Sequence, residues 1–311
     1  NIGDWSSDVC SSDLFRRNNM KLALSLSILL GASSLFANQS LITKAKNAGL
    51  EPIPSSKDAL MKLIDDKKDP ITAAKVELGK KLYFDPRLSR SNLISCNTCH
   101  NLALGGADGV PAAIGHGWTA NPHHLNSPTV YNSVFFKAQF WDGRSPHLAD
   151  QAQGPVQAGP EMAATPSLVE ERINSIPEYV NEFKATYGKD VKIDFEKITS
   201  TIATFEKTLV TPSRFDKFLE GDSKALTKEE QEGLDIFLSK GCTACHTGIA
   251  LGGTMQPFQI AQQYKFTNVG DFKGDENGMV KTPTLRNIAE TAPYFHNGQI
   301  WSLADAVKEM G

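Results

Sequence analysis

The chain has 311 residues, with 32 basic against 35 acidic side chains, a formal net charge of −3 and a pI near 6.2. That balance offers no basic stripe for nucleic acid, no apolar run spans a membrane comfortably, and nothing is biased enough in composition to be called disordered. Five cysteines are present, and all but Cys10 fall in two closely spaced pairs.

Residues 1–19, Asn1 to Asn19, hold Ser and Asp clusters without periodicity and precede a Met20 that reads as a start. This leader resembles translated vector or adapter and is set apart from the fold, together with Cys10. Met20-Lys21 then opens the apolar run Leu22 to Phe36, which has the length of a signal-peptide core and ends at Ala37-Asn38. A membrane anchor is the alternative reading of residues 20–37. Export places the mature protein, from Asn38 onward, in the periplasm. Roughly 270 residues remain, enough for two domains.

Ser95-Cys96-Asn97-Thr98-Cys99-His100 recurs as Gly241-Cys242-Thr243-Ala244-Cys245-His246. A Cys-x-x-Cys-His attaches a c-type haem: two thiols one helical turn apart are alkylated by the porphyrin's vinyl groups, and the adjoining imidazole reaches the iron. Cys96, Cys99, Cys242 and Cys245 are therefore expected as thioether anchors and His100 and His246 as axial ligands. Redox dithiols or a zinc site are the alternatives for Cys-x-x-Cys alone. Gly79 to Phe84 before the first motif is echoed weakly by Gly233 to Leu238 before the second, each on a helical pattern. The first copy inserts Asp85 to Ile94 between helix and motif, with Pro86 as breaker. The predicted fold is mainly α: two cytochrome c-like helical domains, residues 38–211 and 212–311, each with one covalent haem.

Between Leu104 and Pro160 the Gly and Pro residues predict a long irregular stretch wrapped over the first haem. It carries His116 between Gly115 and Gly117; flanking glycines predict a mobile backbone, and the histidine reads either as a surface residue or as a ligand. His123, His124 and His147 are expected at the surface. Phe195, Ile198, Ile202, Phe205 and Leu209 form one apolar helical stripe ended by Pro212, and Pro212 to Gly221 is the expected domain boundary. Ser302 with Asp305 starts a helix that runs to Met310; one further helix is expected beyond the end of this sequence. Met310 reads as core or as a thioether ligand that raises haem potential, with His296 as its competitor.

The runs SCNTCHNLALGGADGVP, GHGW, NSPTVYNSVF, AQFWDGR, the Gln-x-Gly-Pro run leading to Glu161-Met162, SIPEYV, GCTACHTG and TAPYFHNGQIW together resemble the bacterial dihaem cytochrome c peroxidases, from Leu78 onward. The resemblance implies a high-potential C-terminal haem held by His246 and Met310, which takes in electrons, and a peroxidatic N-terminal haem on His100, with His116 as its displaceable sixth ligand. It implies that Trp141 lies between the haems, that Gln151 and Glu161 line the peroxide pocket, and that Asn126, Thr291 and Pro293 surround an inter-domain calcium ion. For Trp141 alone, core packing is the other reading. Two features depart from the family: the insertion His123-His124-Leu125, and an end of sequence one residue after Met310.

Cleaving the peroxide O–O bond heterolytically needs a proton moved from one oxygen to the other, which suits Glu161 as general acid/base with Gln151 orienting. The expected activity is reduction of hydrogen peroxide to water with electrons from small periplasmic c-type cytochromes, and the resemblance also suggests a homodimer. A non-catalytic dihaem electron carrier is one alternative; a related dihaem enzyme that oxidises a protein tryptophan, typically with tyrosine in place of Met310, is the other.

Overall fold

The computed structural model describes residues 39–258 and 264–310; the leader at 1–19, Cys10 and the signal segment at 20–37 lie outside them. The described residues are mainly helical, and none of their helices is long and apolar enough to cross a membrane. Helix α1 (residues 39–47) is followed by α2 (Lys57–Ile64) and α3 (Ala73–Tyr83). The hydroxyls of Ser56 and Thr72 begin the latter two by accepting the N–H groups of Ala59 and Lys75. A 3-10 turn at Pro86–Leu88 fills the insertion before α4 (Cys96–Cys99). Next come α5 (Leu148–Gln151), α6 (Gln153–Gln157), α7 (Pro166–Asn174), α8 (Pro177–Tyr187) and α9 (Phe195–Glu206). Proline opens α7 and α8, where its missing N–H costs nothing. The remaining helices are α10 (Arg214–Leu219), α11 (Lys228–Ser239) and α12 (Leu303–Met310). Strands β1 (Met255–Pro257) and β2 (Met279–Lys281) pair antiparallel, Met255 opposite Lys281.

The larger core joins α3, α7, α8 and α9 through Leu82, Tyr83, Ile173, Phe183, Ile198 and Ile202. The predicted α9 stripe is buried at Phe195, Ile198, Ile202 and Phe205, whereas Leu209 is half-buried beyond the helix end. Helices α3 and α9 touch backbone to backbone at Gly79, where a Cβ would fall 2.2 Å from the Thr201 carbonyl oxygen.

A second core takes Ile42, Ala45 and Leu50 from the N-terminal segment and Phe218, Leu219 and Leu234 from α10 and α11. Leu50 pairs with Gly248 in a parallel bridge, and Lys44 meets Asp235. Residues 39–50 thus lie against the chain beyond 212 rather than against 51–211, because their apolar face matches the one that α10 and α11 leave open. Asp216 and Arg286, 2% and 3% exposed, tie the same unit together with two bonds of 2.8 and 3.1 Å. Asp216 also accepts the N–H of Ile53 and both donors of Ser213.

The Gly- and Pro-rich stretch is irregular only in part. Residues 148–157, expected as loop, form α5 and α6; Pro155 is tolerated because it lies in the first turn. Gly154 is required there by the Phe140 ring, 2.8 Å from the position of a Cβ.

Candidate active site

At the first motif, Ser95 and Thr98 form a reciprocal cap that starts α4, so Cys96 and Cys99 stand one turn apart and His100 follows as the helix ends. The His100 Nδ1–H donates to the Pro128 carbonyl at 2.9 Å, and its peptide oxygen accepts the Tyr83 hydroxyl at 2.6 Å. The Pro128 bond fixes the tautomer and leaves the Nε2 lone pair for a ligand. Burial keeps the ring neutral by lowering its pKa. Burial also pushes the Cys96 thiol up, and the Cys99 thiol up to about 12, the opposite of the activation a redox dithiol needs.

The second motif is a 3-10 turn, Cys242–Ala244, entered through Gly241 at φ +78°. Its His246 N–H closes back on the Cys242 carbonyl at 3.0 Å, and its Nδ1–H donates to Leu251 at 3.2 Å. Burial lowers this pKa as well. All four thiols are unpaired. Two neutral imidazoles, each held at Nδ1 by a backbone carbonyl, and two thiols one turn away from each, fit covalent haem at both places.

His116, half-buried, donates its peptide N–H to the Glu161 carbonyl at 2.7 Å. The flanking glycines do not act as expected. Neither takes a positive φ; Gly115 is needed because a Cβ would lie 1.8 Å from the Pro160 oxygen, and it is Trp118, at φ +57°, that bends the loop. Gly115 therefore clamps His116 to the 160–161 turn instead of loosening it. Burial raises the Glu161 pKa against the fields of Arg144 and His123, and the Glu161 charge is felt at Cys99. Gln151 sits half-buried on α5. Of the three histidines expected at the surface, His147 is exposed and caps α5, and His123 is exposed but hydrogen-bonded to Asp271 at 2.9 Å. His124 is half-buried, accepting from the Gln299 amide.

Trp141, 9% exposed, bridges the two halves of the chain. Its Nε1–H donates to the Asn126 carbonyl at 2.9 Å, its own carbonyl accepts the Lys281 N–H at 2.7 Å, and its ring meets His296 edge-on at 6.4 Å. Asn126 in turn donates its N–H to the His296 carbonyl at 2.8 Å, which holds it to the segment carrying Thr291 and Pro293. Asn126, with its side-chain amide, and the Thr291–Pro293 peptides supply oxygen of the kind a hard cation takes. His296 itself is 4% exposed, caged by the rings of Phe258, Phe272 and Tyr264, with Nε2 unpartnered and its pKa brought down to about 4 by burial. Met310 is 54% exposed on the last turn of α12.

Sequence reasoning passed over Glu206, at the end of α9. It is 6% exposed, its Oε2 has no partner, and its charge is felt at Tyr83 and Cys96. Burial alone raises its pKa to about 7. An acid with a raised folded pKa loses stability as pH climbs from the unfolded value to the folded one. Glu206→Gln is accordingly expected to gain on the wild type by about 3 kcal/mol between about pH 4 and about pH 8, read from denaturant titrations at both pH values.

The sequence pattern of the di-haem cytochrome c peroxidases matches residues 73–224. A cytochrome c551 peroxidase of Pseudomonas aeruginosa is 45% identical over 299 residues, spanning 92% of this chain and 84% of that one. Another, from Nitrosomonas europaea, is 42% identical over 301 residues, 94% and 85% of the two chains. The crystal structure of a MauG-like protein associated with microbial copper homeostasis shares the fold at TM-score 0.68 and 26% identity, covering 78% of this chain and 77% of its own. Likeness of that extent, on a chain with two haem-competent Cys-x-x-Cys-His turns, makes this protein a member of the di-haem cytochrome c peroxidase family.

Proposed function

We propose that the protein is a periplasmic cytochrome c peroxidase that reduces hydrogen peroxide to water at the His100 haem, with electrons from a small c-type cytochrome entering at the His246 haem. The observation that carries this reading is the hydrogen-bonded turn joining His116 to Glu161, which sets a half-buried acid of raised pKa within electrostatic reach of Cys99. Haem, when bound, supplies the redox centres for two one-electron steps.

Everything else falls to side chains. Glu161 moves a proton between the two peroxide oxygens, and Gln151 orients the substrate. His116 would hold the iron of the first haem when that haem is bound, and the Gly115 contact ties its loop to the position of Glu161. Trp141 offers a polarisable path between the haems. Met310 would hold the iron of the His246 haem, and Asn126, Thr291 and Pro293 would hold calcium at the junction. In this division residues 51–211 form the peroxidatic unit, and residues 39–50 join the electron-accepting one.

The test uses full-length, haem-loaded protein, half-reduced so that only the high-potential haem is ferrous, mixed with peroxide and excess ferrous cytochrome c. Rapid peroxide-dependent oxidation of the donor is expected. No such oxidation, with both haems six-coordinate, would leave an electron carrier.

A further inference from the structure

Lys281 ends β2 with 4% of its surface exposed. Its ammonium lies 4.8 Å from the centroid of the Phe136 ring. The carboxylate whose field reaches it is Asp142, and both Asp142 oxygens are engaged by Arg144 Nη1, at 2.9 and 2.8 Å. Burial therefore wins over Asp142 and brings the Lys281 pKa down to about 8. A cation–π contact returns about 1–2 kcal/mol, less than the several kcal/mol that a buried ammonium without an anion costs. A lysine kept here calls for an anion that the described residues do not supply.

Two observations say which anion. The Lys281 charge is felt at His100, so the ammonium stands within range of the first haem's proximal side. The Lys281 peptide N–H is bonded to the Trp141 carbonyl, at the junction of the two units. A haem brings two propionate carboxylates, and no other component of the loaded protein brings a new carboxylate to this junction. We propose that Lys281 is the internal counter-ion of a propionate of the His100 haem, fixing that edge of the porphyrin at the junction and raising the iron's potential. The assignment rests on the dihaem reading above. A positive charge beside the haem favours the form carrying one more electron, so its removal lowers the potential.

The experiment compares haem-loaded full-length wild type, Lys281→Met and Lys281→Arg by spectroelectrochemical titration and by the propionate bending band in resonance Raman spectra. Lys281→Met should lower the potential of the His100 haem, changing its oxidised-to-reduced ratio at fixed potential at least about tenfold, or about 59 mV for one electron. It should also move the propionate band. Lys281→Arg should restore most of the potential while still moving the band, because a guanidinium bonds the carboxylate differently. Unchanged potentials and an unmoved band in a fully loaded Lys281→Met protein would overturn the assignment, as would a shift confined to the His246 haem. If Lys281→Met fails to load both haems, the band in Lys281→Arg decides alone, and an unmoved band overturns it. Failure of the dihaem reading is seen separately, as fewer than two covalent haems per wild-type chain.

Discussion

Glutamine in place of Glu161 is expected to slow peroxide-dependent donor oxidation by about 10²–10⁴-fold, with both haems still bound. The substitution keeps the shape of the side chain and the peptide carbonyl that accepts the His116 N–H, so the clamp on the distal loop survives. What it removes is the proton. Burial raises the Glu161 pKa while Arg144 and His123 pull the other way. Stopped-flow oxidation of ferrous cytochrome c at saturating peroxide separates the outcomes: the rate should fall while the spectrum of the half-reduced state stays that of the wild type. A loss smaller than about tenfold would mean that the proton travels by another route and that Glu161 is a lining residue.

Asp216→Ala should cost about 3–5 kcal/mol of stability, the largest effect expected away from the haem sites. It strips a guanidinium that is 3% exposed of the acid it pairs with, and it orphans the N–H of Ile53 and the two donors of Ser213. Burial by itself would raise the Asp216 pKa, but the hydrogen bonds and charge of Arg286 prevail and hold it below the usual carboxylate range. A depressed folded pKa gives a wild-type contribution that is fully present above the unfolded value and disappears as pH falls through the folded one. Guanidinium titrations should therefore show a gap between wild type and Asp216→Ala that is constant near neutrality and narrows in strong acid. A gap under about 1 kcal/mol at neutral pH would place the pair among ion pairs of little net worth.

The two Cys-x-x-Cys-His turns could be read from the sequence because thioether attachment ties three residues, two cysteines and a histidine, to one helical turn, so spacing alone carries the chemistry. The α9 stripe could be read for a similar reason: one face of one helix is a local pattern. What escaped is non-local. Nothing near Gly115 announces that the Pro160 carbonyl will press on it, so the glycine pair looked like a hinge. Lys281 and Glu206 look like ordinary surface charges until Phe136 or Tyr83 covers them. The helices at 148–157 hid behind a Gly-Pro dipeptide whose glycine answers to Phe140, and the seat of α1 depends on apolar faces far along the chain.

The seat of residues 39–50 also sets an order of events. Gly49 and Thr247 are bonded across 198 positions, and Gly248 donates its N–H to the Gly49 carbonyl at 2.8 Å. The segment that leaves the ribosome early therefore waits for a partner made late, a contact of high sequence separation that slows folding. His246 is only two residues from that bridge, so docking of residues 39–50 fixes the backbone leading out of the second motif, while Cys242 stays exposed with the segment in place.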